Sequence, residues 1–220
     1  MEYRKIPDTD IEVSRVGLGT WAIGGWMWGG SDEEKAVDTI HEALDKGINL
    51  VDTAPAYGFG KSEEIVGRAL EGYDDVHVST KVGLEWKDEE VWRNSSRERI
   101  FKEIDDSLER LGVDFIDVYF VHWPDPLVPI QETAEAMKEL YREGKIGTIG
   151  VSNYSVEQME EFMQHAPLHA CQPPYNMFER GIEDEILPFC KENDIHLFTY
   201  GALCRGLLTG KMTRNETFEG

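Results

Sequence analysis

Short apolar runs alternate along the chain with segments in which apolar residues recur every three or four positions. Several of the runs are β-branched and apolar almost throughout, which is typical of strands buried on both faces of a parallel sheet. A hairpin is predicted before them at residues 3–14, with its turn at 7–10. The strands predicted after this hairpin are residues 16–19, 48–52, 76–81, 115–122, 146–152, 169–172 and 195–200.

Helices are predicted between these strands from capping residues and apolar stripes. Ser31 and Glu34 have the spacing of a capping box, and Gly47 ends the apolar stripe that follows them. Later stripes with the period of a helix predict further helices. They lie behind Ser96, behind Ser155 and over residues 182–189.

The repeated strand–helix order predicts a parallel sheet with right-handed crossovers. Because the units are regularly spaced and no glycine fingerprint follows the first strand, we favour an α/β fold of the (β/α)8 TIM barrel type over a doubly wound open sheet. A complete barrel usually needs about 250 residues, and the chain has 220. We therefore expect one domain over residues 1–220 that holds seven of the eight strand–helix units and is C-terminally truncated before the eighth strand.

Acidic residues outnumber basic ones by 43 to 22, which gives a formal net charge of −21. This charge argues against nucleic acid and anionic membrane surfaces as partners. The sequence contains neither the roughly 20 apolar residues of a membrane span nor an apolar signal core behind Met1. Its three cysteines lack a C-x-x-C spacing, which suits a reducing compartment. We expect an acidic, soluble, cytoplasmic protein whose oligomeric state the sequence leaves open.

Polar residues recur at the carboxyl ends of the predicted strands, where parallel barrels carry their functional groups. Any one of these residues has an ordinary structural explanation, such as a turn or a satisfied hydrogen bond. Their recurrence at successive strand ends indicates one shared site at the mouth of the barrel. In chain order they are Asp52, Lys81, His122, Ser152 with Asn153, Gln172 and Tyr200.

Tyr57 follows Asp52 by five residues, on a loop that we expect to fold over this mouth. Because neighbouring strands lie about 4.8 Å apart, Asp52 and Lys81 can touch. An ammonium about 4 Å from a phenolate stabilises it by some 4 kcal/mol at an effective dielectric of about 20, which lowers a tyrosine pKa by about 3 units. Tyr57 is thus a candidate proton donor, while Asp52 keeps Lys81 charged and His122 hydrogen-bonds a carbonyl.

Several motifs, taken together and in order, resemble the aldo-keto reductase superfamily along essentially the whole chain. They are GLGTW at 17–21, DTAPAYG at 52–58, STK at 79–81, HWP at 122–124, GVSNY at 150–154 and QPPYN at 172–176. The resemblance implies Asp52, Tyr57, Lys81 and His122 as the catalytic tetrad. It implies an oxidoreductase that reduces an aldehyde or ketone with hydride from NADP(H), or less commonly NAD(H). A small carbonyl compound would then be its substrate, and Tyr57 its general acid.

The resemblance also implies where the cofactor binds. Ser152, Asn153 and Gln172 would hold the nicotinamide carboxamide, and Tyr200 would stack on the nicotinamide ring. Arg205 would lie on a loop along the pyrophosphate, where it meets a phosphate or forms a surface salt bridge. The other expected cofactor contacts are Gly19, Thr20, Trp21, Asp52, Gly201 and Leu203.

Tryptophans are concentrated in the loops that we expect to line the substrate pocket. Trp21 and Trp123 are the predicted pocket residues, together with Trp28, whereas Trp26 and Trp86 are expected to pack loops onto the barrel. Members of the superfamily carry a further C-terminal part that supplies strand eight and the basic pocket for the 2′-phosphate. The preference between NADPH and NADH therefore stays open at this stage.

Other functions compete with this one. The GKS sequence at 60–62 resembles the end of a phosphate-binding P-loop, but that motif requires a glycine where Pro55 stands. Lys81 could instead form a Schiff base with a substrate, as in an aldolase. A catalytically inactive reductase-like fragment or binding subunit is a third alternative. No metal site is predicted, because Pro167 interrupts the helix that would align a closely spaced histidine pair.

Overall fold

Strands and helices alternate along the computed structural model, which describes residues 1–213. The first strands are β1 (Tyr3–Lys5), β2 (Glu12–Ser14) and β3 (Leu18–Gly19). There follow α1 (Glu33–Asp45), β4 (Leu50–Asp52), α2 (Lys61–Leu70), β5 (His77–Val82), β6 (Leu84–Lys87), β7 (Glu90–Arg93), α3 (Arg97–Leu111) and β8 (Ile116–Val121). The last elements are α4 (Ile130–Arg142), β9 (Ile146–Ser152), α5 (Val156–Met163), β10 (Ala170–Gln172), α6 (Ile186–Glu192) and β11 (His196–Leu197).

Seven of the described strands form one parallel sheet in the order β3-β4-β5-β8-β9-β10-β11. The order follows the chain without reversal, and helices α1 to α5 pack against one another in the same sequence. A doubly wound sheet would reverse its strand order, so the observed order is that of a (β/α)8 barrel. The predicted barrel fold is confirmed. The predicted single domain over residues 1–220 extends past the described residues and stays a prediction.

The predicted strands are confirmed in number and order, although most differ at their ends. β9 has the predicted bounds, Ile146–Ser152. Residues 195–200 are predicted as one strand, but β11 is His196–Leu197, and Tyr200 pairs with Pro174 through an isolated parallel bridge. The predicted hairpin at residues 3–14 is confirmed as the antiparallel pair β1–β2.

This hairpin packs against the amino-terminal ends of the parallel strands. Ile6, Ile11 and Val13 are buried in one cluster with Val118 and Phe120 of β8. Successive strand residues point to opposite faces of a sheet. Tyr119 and Val121 of β8 therefore face the helices. The barrel therefore has an inner core under the hairpin and an outer core under the helices, and the other end of the strands is left for the site.

Helix starts follow the predicted caps with one correction. Ser96 accepts a hydrogen bond from the amide of Arg99, and Ser155 forms a capping box with Gln158. The predicted box at residues 31–34 is wrong by one position, because the Asp32 carboxylate caps α1 instead by accepting from the amide of residue 35. Residues 182–189, predicted as one helix, divide into a 3₁₀ turn at Gly181–Glu183 and α6.

Helices α2 and α4 and the hairpin β6–β7 were not predicted from the sequence.

Within the described residues, no helix combines the length and the apolar composition needed to cross a bilayer.

An ion pair joins β5 to β8 at the hairpin end of the sheet. His77 Nδ1 lies 2.6 Å from Asp117 Oδ1, and the amide of Val78 donates to Asp117 Oδ2 at 2.8 Å. The hydrogen bond to Asp117 raises the pKa of His77 above its ordinary value of 6.5, although partial burial opposes it. The charged imidazolium is therefore the form that the fold favours.

We expect this pair to stabilise the fold more at low pH than at high pH. Because the pKa of His77 is higher in the folded chain, its contribution to the free energy of unfolding is complete below pH 6.5 and is lost as the pH rises through the folded value. Urea unfolding of the wild type and His77→Gln at pH values of about 6 and about 9 tests this. The difference between the two proteins should shrink at the higher pH, and a constant difference would contradict the assignment.

Candidate active site

A buried ammonium lies where the carboxyl ends of β4 and β5 meet. Lys81 is 1% exposed, and its Nζ donates to Asp52 Oδ2 at 2.7 Å and to the Thr53 carbonyl at 2.8 Å. Burial alone would lower the pKa of Lys81, but Asp52 and Tyr57 beside it raise the pKa above the ordinary value. Lys81 therefore stays charged in the folded chain, as the sequence predicts.

The Asp52 carboxylate accepts hydrogen bonds from side chains of two other strands, β5 and β10. While Oδ2 accepts from Lys81, Oδ1 accepts from Ser79 Oγ at 2.7 Å and from Gln172 Nε2 at 3.0 Å. Ser79 lies two positions before Lys81 on β5, and Gln172 ends β10 on the far side of the sheet. These bonds fix the orientation of the carboxylate and leave its negative charge facing the ammonium.

Tyr57 lies beside this ion pair and carries a protonated phenol. Lys81 Nζ is 5.0 Å from the centre of the Tyr57 ring, and the His122 ring meets it edge-on at 5.8 Å. Burial raises the pKa of Tyr57, Lys81 lowers it and Asp52 raises it, so that the pKa stays above the ordinary value of 10. The expected net fall of about 3 pKa units is therefore absent, because burial outweighs the ammonium.

A close backbone approach holds the Tyr57 loop in place. The 3₁₀ turn Trp21–Gly24 packs on this loop, and the Trp21 ring stacks on the Tyr57 ring with centroids 6.2 Å apart. A Cβ atom on Gly24 would lie 2.3 Å from the Tyr57 carbonyl oxygen, and one on Gly58 would lie 2.2 Å from the Gly24 oxygen. Both positions require glycine, and together they place the phenol over the mouth.

His122 follows β8 and faces Tyr57 as a neutral imidazole. Burial and the nearby Lys81 hold the pKa of His122 well below its ordinary value of 6.5. A neutral imidazole has one N–H donor and one acceptor nitrogen. It can therefore donate a hydrogen bond to an oxygen beside Tyr57 without adding a second positive charge next to Lys81.

The residues predicted to bind the nicotinamide form a hydrogen-bonded chain beside the predicted tetrad. Ser152 Oγ donates to the Gln172 carbonyl at 2.7 Å, and Asn153 Nδ2 donates to Ser152 Oγ at 3.0 Å and to the His122 carbonyl at 2.9 Å. Tyr200 Oη in turn donates to Asn153 Oδ1 at 2.8 Å. Tyr200 as a whole residue remains 39% exposed, so an aromatic side chain lies next to several amide and hydroxyl groups.

The loop after β11 brings a cation towards the same mouth. The Arg205 guanidinium lies 5.8 Å from the centre of the Trp21 ring, and Leu203 near it is 60% exposed. Residues 204–206 all have a left-handed backbone, as does Gly201. The sequence leaves open whether Arg205 binds a phosphate or forms a surface salt bridge, and the structure places its guanidinium beside the Trp21 ring.

The remaining predicted site residues lie on loops and strands at the same end of the sheet as the predicted tetrad. Gly19 pairs with Asp52 across β3 and β4, and Thr20 Oγ1 donates to the Asp52 carbonyl at 3.0 Å. Trp28 meets Trp21 edge-on at 5.5 Å. Trp123 lies further along the rim, with the Arg93 guanidinium 5.2 Å from its ring centre. Trp26 and Trp86 both contact Phe59, as expected for residues that pack loops.

Sequence reasoning missed the roles of Ser79, Thr53 and Gln172 in holding the ion pair. The position of Ser79 at the mouth can be derived from the sequence, because residues two apart on a strand share a face and Lys81 is predicted at the mouth. The Thr53 carbonyl and the Gln172–Asp52 contact have no signal in the sequence pattern.

Comparison with known proteins agrees with this geometry. The model of the Aldo/keto reductase family matches residues 15–220, and the chain therefore belongs to the aldo/keto reductase family. It is an oxidoreductase of the class that reduces carbonyl compounds with a nicotinamide cofactor.

Several bacterial proteins are similar to the chain. The chain is 61% identical over 223 residues to "Aldo-keto reductase YhdN" of Bacillus subtilis (strain 168), covering all of this chain and 67% of that protein. It is 44% identical to the "NADH-specific methylglyoxal reductase" of Escherichia coli (strain K12), covering 96% of this chain and 71% of that protein. The solved glycerol dehydrogenase AKR11B4 from Gluconobacter oxydans superposes with a TM-score of 0.94 at 56% identity, covering 99% of this chain and 68% of that one.

Proposed function

We propose that this chain reduces an aldehyde or ketone to an alcohol, with Tyr57 as the proton donor. The observation that carries the proposal is the buried Lys81 ammonium between the Asp52 carboxylate and the Tyr57 ring. A bound nicotinamide cofactor would supply the hydride to the carbonyl carbon. The chain itself must then deliver one proton to the carbonyl oxygen.

Each member of the tetrad has a separate part in that proton transfer. Tyr57 is protonated at neutral pH and gives its proton to the oxygen as negative charge develops there. Lys81 stabilises the phenolate that remains, and Asp52 holds Lys81 charged and in place. His122 donates a hydrogen bond to the same oxygen and orients the carbonyl.

We propose that the nicotinamide lies against Tyr200, with its carboxamide towards Ser152, Asn153 and Gln172. The support is chemical, because a planar ring that carries an amide needs a flat apolar surface beside amide and hydroxyl partners. Tyr200 supplies that surface and is fixed by its bond to Asn153. The other proposed cofactor contacts are Gly19, Thr20, Trp21, Asp52, Gly201, Leu203 and Arg205.

NADPH is the proposed cofactor, and NADH is the second candidate. The Arg205 guanidinium is a cation that stands at the mouth of a chain whose formal net charge is −21, so it is a local partner for a phosphate. The name of the Escherichia coli relative, at 44% identity, favours NADH.

We place the protein in the cytoplasm, in keeping with the three free thiols within the described residues.

The function is tested by the oxidation of NADPH and of NADH at 340 nm with the purified chain. Methylglyoxal as oxidant, and glycerol in the reverse direction, are the first compounds to try, because the names of two relatives mention them. We expect turnover with the wild type and faster turnover with NADPH. Quenching of tryptophan fluorescence measures cofactor affinity separately, and absence of both binding and turnover at millimolar cofactor would favour the inactive alternative.

A further inference from the structure

Glu63 is a fully buried carboxylate outside the tetrad. It lies in the first turn of α2 and is 0% exposed. Its Oε1 accepts from Thr80 Oγ1 at 2.5 Å, and its Oε2 accepts from Arg110 Nε at 2.6 Å. A buried charge is costly unless it is paired, and here each oxygen has a partner on a different element. The two contacts join α2 to β5 on one side and to α3 on the other.

The contact with Thr80 reaches the strand that carries the ammonium. Thr80 directly precedes Lys81 on β5, so the two side chains point to opposite faces of the sheet. Lys81 pairs with Phe120, whose ring belongs to the inner core, whereas Thr80 pairs with Tyr119 under the helices. Glu63 therefore binds the outer face of β5 at Thr80, the residue immediately before Lys81.

The same turn of α2 also holds the loop that carries the phenol. The amide of Ser62 donates to the Tyr57 carbonyl at 3.1 Å. Its hydroxyl is buried, where it donates to Thr20 Oγ1 at 2.8 Å and accepts from Thr53 Oγ1 at 3.0 Å. Adjacent residues of one helical turn are thus bonded to the Tyr57 loop and to the Lys81 strand.

We infer that Glu63 is a positioning residue that fixes the separation between the Lys81 ammonium and the Tyr57 phenol. The expected effect of Glu63 on turnover rests on the proposed function. The expected effect on the distance between Lys81 and Tyr57 does not. Glu63 touches neither member of the pair and acts through Thr80. Arg110 keeps the carboxylate from turning away, and Arg110 is itself held by a 2.5 Å bond from Nη2 to Glu103.

A change in this separation has a measurable consequence for Tyr57. The charged or titratable groups that face the phenol are Lys81, Asp52, His122 and Tyr200. Lys81 lowers the pKa of Tyr57, so retreat of the ammonium raises that pKa. Coulomb's law at an effective dielectric of about 20 makes a retreat of about 1 Å from about 4 Å worth about 0.6 of a pKa unit.

Thr80→Val tests the inference without removing a charge. Valine keeps the β-branched shape on β5 and deletes the hydroxyl that bonds Glu63, leaving the Glu63–Arg110 pair in place. Glu63→Gln is the second variant, since it retains the acceptor and weakens the pair with Arg110. Glu64→Gln is the matched control, because Glu64 is the exposed neighbour on the same turn.

The measurement is a fluorine NMR titration of chain labelled with 3-fluorotyrosine, in which Tyr57→Phe assigns the Tyr57 resonance. Fluorination lowers the phenol pKa into an accessible range, and no substrate or cofactor is needed. We expect the Tyr57 midpoint to rise by about half a pH unit or more in Thr80→Val and Glu63→Gln, and to stay unchanged in Glu64→Gln. With substrate, kcat should fall about tenfold at unchanged KM.

An unchanged midpoint in folded Thr80→Val or Glu63→Gln would overturn the inference, even if their melting temperatures fell, because it would assign Glu63 a purely structural role. A wild type without reductase activity would instead contradict the proposed function. The titration would still decide the role of Glu63 in that case.

Discussion

Replacing Tyr57 with phenylalanine is expected to lower kcat by about a thousandfold while leaving cofactor affinity unchanged. The ring and its stacking on Trp21 remain, but the proton donor is gone, and a positioned general acid typically contributes about 10²–10⁴-fold to a rate. Steady-state kinetics at 340 nm give kcat, and fluorescence quenching gives the cofactor dissociation constant. Circular dichroism checks that the fold is intact.

Tyr73→Phe is the matched control for this prediction. Tyr73 is 42% exposed beyond the end of α2, where it stacks on His41, and loss of its hydroxyl should leave kcat unchanged. Substantial reductase activity in Tyr57→Phe would show that another group supplies the proton. In that case the role given to Tyr57 is wrong even if the chain reduces carbonyls.

The central strands were predictable because burial on both faces leaves a continuous apolar run. In β8, Val118, Tyr119, Phe120 and Val121 are each 0% exposed, and the run is visible in the sequence. The strands at the two ends of the described sheet are less regular. Val16 is predicted to lie in the first strand but is 55% exposed, and β3 contains only Leu18 and Gly19. Each end strand pairs with one neighbour among the described strands. For such a strand the apolar run in the sequence predicts where the strand lies but overestimates its length.

The helices that sequence reasoning missed have buried faces that mix large apolar residues with small or polar ones. In α2, Ser62 and Glu63 are buried together with Ile65 and Val66, so the buried stripe does not stand out as apolar. In α4, the buried face begins with Thr133, Ala134 and Ala136. An apolar stripe is a reliable signal only where large side chains fill the space between helix and sheet.

The positions of the candidate site were predictable, but its electrostatics were not. The carboxyl ends of parallel strands meet at one edge, which brings Asp52, Lys81 and His122 together from their places in the sequence alone. The direction of the Tyr57 pKa shift depends instead on burial, and burial follows from how the turn Trp21–Gly24 packs on the Tyr57 loop. A close backbone approach of this kind has no periodic signature.

Asp52→Asn is expected to damage stability as well as turnover. Asparagine can still accept from Ser79 and Gln172 through its oxygen, but its amide group would then face the Lys81 ammonium, which is 1% exposed. Removing one member of a buried ion pair typically costs about 3–5 kcal/mol, and we expect a loss of about 3 kcal/mol in the free energy of unfolding. Urea unfolding at neutral pH measures this loss, and kcat is measured alongside it.

A second carboxylate–lysine pair in the same chain provides the control. Asp10 accepts from Lys5 at 3.0 Å, and both side chains are largely exposed, so solvent screens this pair and Asp10→Asn should leave the unfolding curve unchanged. The contrast isolates the contribution of burial, because the substitution is chemically the same at both positions. If Asp52→Asn and Asp10→Asn unfold at the same urea concentration, the Lys81 ammonium in Asp52→Asn is paired with another group or hydrated by solvent. The phenol of Tyr57 would then lack the fixed ammonium on which the proposed proton transfer depends.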